Sequence, residues 1–381
     1  MREKIILQDF TVLLVCVSTG WSTVERRVLF DSTFLRNIKC NPVVLCVKGS
    51  QIDLAAERED IARVYITKRN LDWGVRFFFE LRSLILENRY DIVHCYSLTA
   101  IWSAAFILRS QQKTPLFLTF NQNIVSIYHN VFVKWLLRRV DYIFTLCEDT
   151  QEFVQESFRI SNQKIKSLGC GLEVYKGSAE SREVKSVGCV INDVNEVKRL
   201  KYIVRVFRIL KNEQVEKFSH LQLYVFLGPA IYQKNSAKKI LTELEHEFYK
   251  GDILLYSLET KKDLLKDLDI YLGTAFDEPL NDYELTALIQ EIPVLFPRTA
   301  MRQSLLFKYL WGGESYYEGD IREAKSKLLK ILNNYPLYKS ALRAFSDEIT
   351  SSHGLDHYAE NLQKYYEKAF AKRMRFRSSS H

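Results

Sequence analysis

The segment that decides the fold is Asp277–Val294, DEPLNDYELTALIQEIPV, in which an acidic loop leads into a helix and then into an apolar strand. Another apolar strand, Leu268–Gly273, precedes it, and Asn281 and Asp282 supply N-cap chemistry for the helix. Apolar residues then recur at helical spacing, at Leu285, Leu288 and Ile289. A helix that begins at the carboxyl end of a parallel strand attracts phosphate through its unpaired N–H groups. The segment therefore predicts a ligand-binding strand–loop–helix corner.

Short apolar strands alternate with helical stretches around this corner, as in parallel sheets covered by helices. The strands predicted in the first half are Phe10–Val17, Pro42–Val47, Val64–Ile66, Asp91–His94, Pro115–Thr119 and Tyr142–Leu146. Those predicted in the second half are Val187–Ile191, Leu221–Leu227, Asp252–Leu255, Asp269–Gly273 and Pro293–Phe296. The polar segment Lys176–Ser186 separates the two series, and a helix is predicted over Leu355–Ala371. The pattern predicts two Rossmann-like domains, residues 1–176 and 187–350, followed by a helix and basic tail at 355–381.

Length and composition indicate a globular protein of the cytoplasm. A chain of 381 residues exceeds what one core usually supports, and 47% hydrophobic with 26% charged residues is typical of soluble proteins. The apolar run Ile5–Val17 is interrupted by Asp9 and is followed by no small-residue cleavage site, so we interpret it as a buried strand. The cysteines are odd in number and scattered, which argues for reduced thiols and against disulfides or zinc. They are Cys16, Cys40, Cys46, Cys95, Cys147, Cys170 and Cys189.

Several motifs occur in a fixed order along the chain: Ser18-Thr19-Gly20, Tyr90–His94 (YDIVH), Val140–Glu148 (VDYIFTLCE), Lys164–Glu173 (KIKSLGCGLE), Val187–Phe207 and the corner Asp277–Val294. This order resembles that of GT-B glycosyltransferases of the family 4 type, and the resemblance covers nearly the whole chain. Gly228, Asp269, Gly312–Gly313 and Gly319–Asp320 fall at further expected places. The resemblance implies a GT-B fold, in which an acceptor-side domain and a donor domain face a central cleft and the last helix crosses back to the first domain.

The resemblance also implies a site for a nucleotide-sugar donor. Lys198 would neutralise the diphosphate, and Glu278 would lie beside it and the sugar hydroxyls. The remaining donor-binding residues would be Gly20, Arg199, Gly228, Leu280, Asn281 and Thr286. His94 would complete the catalytic set, and Asn121 would contact the acceptor side. No cofactor and no metal are expected, because Asp267-Leu268-Asp269 has Asp-x-Asp spacing but lies at a strand start.

Three residues depart from the family pattern. Asn192 stands where the family has Arg, Thr286 where it has a second Glu that holds the ribose, and Glu291 where it has Gly. Thr286 can still donate a hydrogen bond but cannot form a charge-assisted pair, unless Glu284 reaches the nucleotide from the preceding turn.

Simpler interpretations of the same residues stay open. Lys198 could be a solvated lysine, and Glu278 could end a strand in water. His94 is more often a packed core residue than a catalyst, and Asn121 could be an ordinary turn residue.

The leading functional prediction is a cytoplasmic glycosyltransferase that moves a sugar from a nucleotide donor to a glycan, lipid-linked or protein acceptor, with retention and without a metal. The alternative from another class is a catalytically inactive glycosyltransferase-like protein that binds a partner transferase subunit or a glycan. A hydrolase or epimerase acting on sugar phosphates or nucleotide sugars on the same scaffold is a third hypothesis, since a fold does not specify a function.

The basic character suggests a membrane partner. The net charge is +8, and Lys364–His381 contributes much of it. Tyr128–Val140 (YHNVFVKWLLRRV) carries Phe132, Trp135 and Leu136 on one helical face and cations elsewhere, so it could rest on an anionic membrane. The alternative is a surface helix that packs this face on its own sheet. Nucleic acid is not expected, because the aromatic residues lie mostly within apolar strand-like or helix-like runs.

Overall fold

The computed structural model describes residues 7–18, 20–21, 23–67, 75–110, 113–120, 131–146, 148–169, 171–172, 184–192, 194–228, 231, 235–248, 251–258, 264–274, 282–298 and 312–378. The chain divides into two units, the first comprising Met1–Gly171 with Asp356–His381 and the second Leu172–Leu355. The polar linker predicted over Lys176–Ser186 lies mostly outside the described residues.

Unit 1 contains a parallel sheet of seven strands in the order β3-β2-β1-β4-β5-β6-β7. The strands are β1 Thr11–Val15, β2 Asn41–Val47, β3 Ala62–Ile66, β4 Ile92–Cys95, β5 Leu116–Phe120, β6 Tyr142–Thr145 and β7 Ile165–Ser167. The helices are α1 Thr23–Asn37, α2 Gln51–Arg58, α3 Val75–Asn88, α4 Leu98–Ile107, α5 Val131–Leu137 and α6 Glu148–Phe158. Buried apolar side chains form one core on each face of the sheet, because strand residues alternate between the two faces.

Unit 2 contains a parallel sheet of six strands in the order β10-β9-β8-β11-β12-β13. The strands are β8 Ser186–Ile191, β9 Gln222–Leu227, β10 Ile253–Ser257, β11 Ile270–Leu272, β12 Val294–Pro297 and β13 Gly313–Tyr316. The helices are α7 Val194–Glu213, α8 Val215–Phe218, α9 Asn235–Phe248, α10 Asp282–Ile289, α11 Ile321–Asn333 and α12 Tyr335–His353, with a 3₁₀ turn at Leu264–Asp267. The two predicted Rossmann-like sheets are therefore confirmed.

The last helix, α13 (Leu355–Ser378), packs on unit 1. Its residues Tyr358, Leu362, Tyr366 and Ala369 are buried in the core that also contains residues of β1 and β4. They recur every three or four positions, which places them on one face of the helix. Nearer its end, the Arg373 Nε donates to Asp141 Oδ1 at 3.0 Å. The predicted return of the last helix to the first domain is confirmed.

At the amino-terminal edge of both sheets, aspartates just before or at strand starts accept hydrogen bonds from the backbone of the neighbouring strand. The Asp91 carboxylate accepts from Thr11 N at 2.9 Å, and the Asp141 carboxylate accepts from Leu116 N at 3.0 Å. In unit 2, Asp269 Oδ2 accepts from Ser186 N at 2.9 Å. Since ligands of parallel sheets bind at the opposite, carboxyl-terminal edge, these aspartates are structural. Asp269 thus has a structural role at the start of β11. The Asp-x-Asp spacing of Asp267 and Asp269 therefore lies at the amino-terminal edge of the sheet.

Candidate functional site

The strand order of unit 2 places a switch point between β8 and β11. From β8 the chain continues to β9 and β10 on one side, whereas β11 pairs with the other side of β8 and leads to β12 and β13. The chain therefore continues from β8 and from β11 to opposite sides of the sheet, and open α/β sheets bind ligands at the carboxyl ends of strands at such a point. The first residues beyond these strand ends are Asn192 after β8 and Gly273 after β11.

A group of hydrogen bonds joins the two loops at this switch point. The Asn192 N–H donates to Glu196 Oε2 at 2.6 Å, which fixes the entry into α7. The Arg199 Nη1 donates to the Thr274 carbonyl at 2.8 Å, and the Thr274 hydroxyl donates to the Val190 carbonyl at 2.9 Å. Arg199, expected at the donor, thus supports the loop that follows β11. Glu196 and Thr274 are not among the predicted site residues, although Glu196 stands three positions after Asp193 in the sequence, the spacing of a capping box.

Lys198 is exposed on the early part of α7 and makes no ion pair with any residue that the structure describes. By contrast, Lys201 on the same helix pairs with Glu243. Lys198 is therefore an exposed cation within the first two turns of the helix that follows β8.

Gly228, at the end of β9, lies directly against Asn192. A Cβ atom built on Gly228 would lie 2.8 Å from Asn192 Oδ1 and 3.3 Å from Asn192 Cα. A side chain at position 228 would require the Asn192 side chain to move. Asn192 stands where the family has Arg. Its side chain is short and half-buried, and it lies against the backbone of Gly228.

Glu284 is packed against the end of β11. Its side chain is 2% exposed, and a Cβ atom on Gly273 would overlap its carboxylate. The hydroxyl of the buried Tyr271 lies on the same strand, and burial together with the nearby Glu284 raises the pKa of Tyr271. Glu284 therefore belongs to the packing between α10 and β11. Thr286, half a turn further on α10, is half-buried.

Four predicted site residues lie outside the described part of the chain. Glu278, Leu280 and Asn281 fall within 275–281, and Asn121 falls within 121–130. Their roles stay predictions.

His94 lies at the end of β4 inside the core of unit 1. Its side chain is fully buried, its Nδ1 lies 2.7 Å from the Tyr366 hydroxyl, and its Nε2 lies 2.7 Å from the Thr119 hydroxyl. Burial lowers the pKa of His94 to about 3, so the ring is neutral at physiological pH. Both ring nitrogens are occupied by protein hydroxyls. The structure therefore supports the structural interpretation of His94 and removes it from the residues that could touch a substrate.

Gly20 lies after β1 in unit 1, near the switch point between β1 and β4. It is exposed, and a Cβ atom built on it would meet nothing within 4 Å. Before it, the Ser18 hydroxyl donates to the buried Glu25 carboxylate, which orders the start of the loop. The packing of the described residues does not require glycine at position 20, and its contact with a donor stays a prediction.

Within the described ranges, no cluster of three His, Cys, Asp or Glu side chains is placed to hold a metal ion. None of the described helices is long and apolar enough to cross a membrane.

The comparisons with known proteins agree with this geometry. The model of Glycosyltransferase Family 4 matches residues 24–175, which lie almost entirely in unit 1. No curated protein matches the chain.

Solved glycosyltransferases share the fold of the whole chain. A glycosyltransferase from Rickettsia africae has a TM-score of 0.70 at 14% identity, covering 95% of this chain and 98% of that one. Anabaena HepE in complex with UDP and glucose has a TM-score of 0.71 at 11% identity, covering 93% and 98%. Sucrose-phosphate synthase from Thermosynechococcus elongatus has a TM-score of 0.72 at 12% identity, covering 95% and 100%. The fold is GT-B, and the resemblance to family 4 glycosyltransferases is confirmed.

Proposed function

We propose that this protein is a glycosyltransferase that moves a sugar from a nucleotide-sugar donor to a glycan, lipid-linked or protein acceptor. The observation that carries the proposal is the position of Lys198, which is exposed within the first two turns of α7, the helix that follows the switch-point strand β8. The family 4 match of residues 24–175 supports it. The complexes of HepE with UDP and glucose support a uridine diphosphate sugar as the first donor to test.

The chemistry that this site would supply is stabilisation of a leaving diphosphate. Negative charge grows on that group as the sugar leaves, and a fixed cation together with the positive end of a helix dipole stabilises it. Lys198 and the first turn of α7 would provide both. A cation in this place would take the part of a metal ion, so we propose a metal-independent transfer that needs no cofactor besides the nucleotide sugar. We also propose retention at the anomeric carbon, which the resemblance to family 4 implies. We place the reaction in the cytoplasm, because Cys16, Cys46, Cys95 and Cys189 are buried free thiols, as expected in a reducing compartment.

A second candidate function is an inactive glycosyltransferase-like subunit that binds a partner transferase or a glycan. Asn192 favours it, because a neutral side chain held against Gly228 cannot add a second cation at the diphosphate. Thr286 favours it as well, since it lacks the carboxylate that would hold a ribose.

Thermal unfolding with a panel of nucleoside diphosphates and nucleotide sugars distinguishes the two functions. A ligand that binds only the folded protein raises its stability by mass action, by about 2.7 kcal/mol at a hundred times Kd. We expect one nucleotide, with UDP tested first, to raise the melting temperature of the wild type. In Lys198→Ala we expect the same melting-temperature shift to require roughly ten times more ligand, since a charge-assisted hydrogen bond is lost. The melting temperature without ligand should be unchanged.

Arg205→Ala is the matched control, because Arg205 is an exposed cation two turns further along the same helix. It should leave the nucleotide shift unchanged. No shift with any nucleotide at millimolar concentration would favour the inactive subunit. Equal shifts in wild type and Lys198→Ala would contradict the role of Lys198.

A further inference from the structure

An aromatic surface of unit 1 remains exposed on helices α3, α4 and α5. Phe79 is 56% exposed, Phe106 is 52% exposed, and Val75, one turn before Phe79, is 72% exposed. The ring centroid of Phe78 lies 5.6 Å from those of both Phe79 and Phe106, and the Phe106 centroid lies 6.5 Å from that of Trp135. These five residues form one continuous surface, here called the aromatic patch.

Within the aromatic patch, Phe78 and Trp135 pack against the edge of the core, whereas Val75, Phe79 and Phe106 are exposed and lie outside it. The opposite face of α3 already buries Phe77, Leu81 and Ile85, and α4 buries Ile101 and its alanines on the same core. Moreover, α4 contains no charged residue over its whole length, Leu98–Ile107. A surface helix normally carries charges on its outer face, so apolar side chains there indicate contact with something other than water.

Five cations lie on the helices that carry the aromatic patch or directly after them. They are Arg76 and Arg82 on α3, Arg109 after α4, Lys134 on α5 and Arg138 after α5. The Arg109 guanidinium stacks on Trp135 at 3.7 Å from the ring centroid. In the part of the chain that the structure describes, none of these five cations forms an ion pair with a carboxylate. The two glutamates of α3 are engaged locally, Glu80 by the Thr67 N–H and Glu87 by the Ser83 hydroxyl.

We infer that the aromatic patch and its cations bind the surface of an anionic lipid bilayer. Exposed aromatic and aliphatic side chains would enter the interface between headgroups and acyl chains, while the arginines and Lys134 would contact anionic headgroups. The membrane contact would thus involve α3 and α4 as well as α5, the helix that the sequence predicted within Tyr128–Val140. Within that helix Trp135 is half-buried against Phe106, Arg109 and the core. Residues 121–130 and the side chain of Phe132 lie outside what the structure describes.

Charge favours a bilayer over a second copy of this chain as the partner. A two-fold interface brings the same surface of both copies together, so the cations on the helices of one aromatic patch would approach those on the helices of the other. Like charges at close range repel, whereas anionic headgroups attract all of them. The inference does not rest on the proposed activity, because lipid binding is measured without donor or acceptor.

Vesicle flotation tests the inference directly. The wild type should float with vesicles of phosphatidylcholine and phosphatidylglycerol, and roughly tenfold less with phosphatidylcholine alone. The double variant Phe79→Asn with Phe106→Asn, and separately Arg76→Gln with Arg82→Gln, should each weaken binding to the anionic vesicles by about tenfold or more. Raising the salt from 0.1 M to 1 M shortens the Debye length from about 10 Å to about 3 Å and should release the protein.

Two matched variants in unit 2 serve as controls. Leu337→Asn with Val215→Asn replaces apolar residues that are 66% and 61% exposed, and Arg205→Gln with Arg322→Gln removes two exposed cations. Both controls should float like the wild type. Equal binding to neutral and anionic vesicles, or equal loss in patch and control variants, would overturn the inference. A lipid-free dimer that the Phe79/Phe106 variant dissociates would overturn it too, by assigning the aromatic patch to self-association.

Discussion

The residues that made the sequence recognisable are mostly structural. Asp91 and Asp141, each just before a strand in the motifs YDIVH and VDYIFTLCE, bind the first N–H of a neighbouring strand. His94, the last residue of the first motif, is buried between two hydroxyls. These motifs could therefore predict the fold and not the chemistry. Lys198 and Thr286 lie on the helices that the sequence predicted, but whether they contact a ligand depends on loops whose conformation no local pattern specifies.

The buried neutral His94 should make the stability of the protein depend on pH. Its pKa is lowered from 6.5 to about 3 in the folded state. As the pH falls below 6.5, the unfolded chain binds a proton at this histidine and the folded protein does not, so stability decreases until about pH 3. From pH 6.5 to pH 4 this amounts to roughly 3 kcal/mol. In His94→Gln this contribution is absent, so the stability difference between wild type and variant should shrink by that amount over the same range.

Chemical denaturation at several pH values measures this effect, with His357→Gln as the control because His357 is exposed on α13. The comparison with a variant is needed because Asp31 acts in the opposite direction. Burial raises the pKa of Asp31 from 3.8 to about 6, so Asp31 favours the folded state as the pH falls from 6 to 3.8. Tyr96 contacts both groups. A pH-independent difference between wild type and His94→Gln would contradict the prediction.

At the scale of elements, long apolar strands were predictable and short edge strands were not. The predicted strands all contain apolar runs, and most of these strands are buried on both sides by helices. The edge strands β3 and β10 are only partly buried, but they keep an apolar run of sequence. The two missed strands, β7 (IKS) and β13 (GESY), lie at sheet edges and contain three and four residues. An edge strand pairs on one side only, so polar residues such as Lys166 and Glu314 are tolerated there and remove the hydrophobic signal.

Glu291 stands at the end of α10, where the family has glycine. Glu291 has a φ of 60°, and the Ile292 N–H donates to the Ala287 carbonyl at 2.8 Å, the pattern of a Schellman helix end. Glycine adopts this left-handed conformation without steric cost. The Glu291 side chain instead pairs with Arg343 Nε at 2.9 Å.

We therefore expect Glu291→Gly to stabilise the protein by about 0.5–1 kcal/mol. The ion pair that is lost involves a half-exposed arginine, and such surface pairs contribute little. Urea denaturation measures the change, and Arg343→Ala, which removes the pair and keeps the strained backbone, should change stability by less than about 0.5 kcal/mol. A Glu291→Gly variant that is less stable than the wild type would contradict this expectation. It would mean that the Glu291–Arg343 ion pair contributes more to stability than the left-handed backbone at Glu291 costs.

For the whole molecule, the sequence predicted two parallel sheets, and only the resemblance implied that the last helix returns to the first. The spacing of apolar residues in α13 predicts that the helix has an apolar face. It does not predict which part of the protein this face packs against. The structure supplies the partner, since Tyr358 donates to Asp31 at 3.0 Å and Tyr366 bonds to His94. The core of unit 1 is thus built from residues that are far apart in the chain.

Leu362→Ala tests how much unit 1 depends on this helix. Leu362 is fully buried in the unit 1 core, and such truncations cost about 2–5 kcal/mol. Met374→Ala, on the same helix but with an exposed side chain, should cost less than about 0.5 kcal/mol. Calorimetry should show the lower transition temperature in Leu362→Ala alone. Equal effects of the two substitutions would mean that α13 is held by its ends and not by its apolar face.

The return of α13 also orders events on the ribosome. The strands and helices up to residue 171 are synthesised first, yet the core around β1 and β4 lacks Tyr358, Leu362, Tyr366 and Ala369 until the chain has been made past Ala369. Unit 2, residues 172–355, is contiguous and contains every strand and helix of its own sheet. The half of the protein that leaves the ribosome first is therefore the half that finishes folding last. Until then its incomplete apolar face is open to chaperones and to other nascent chains.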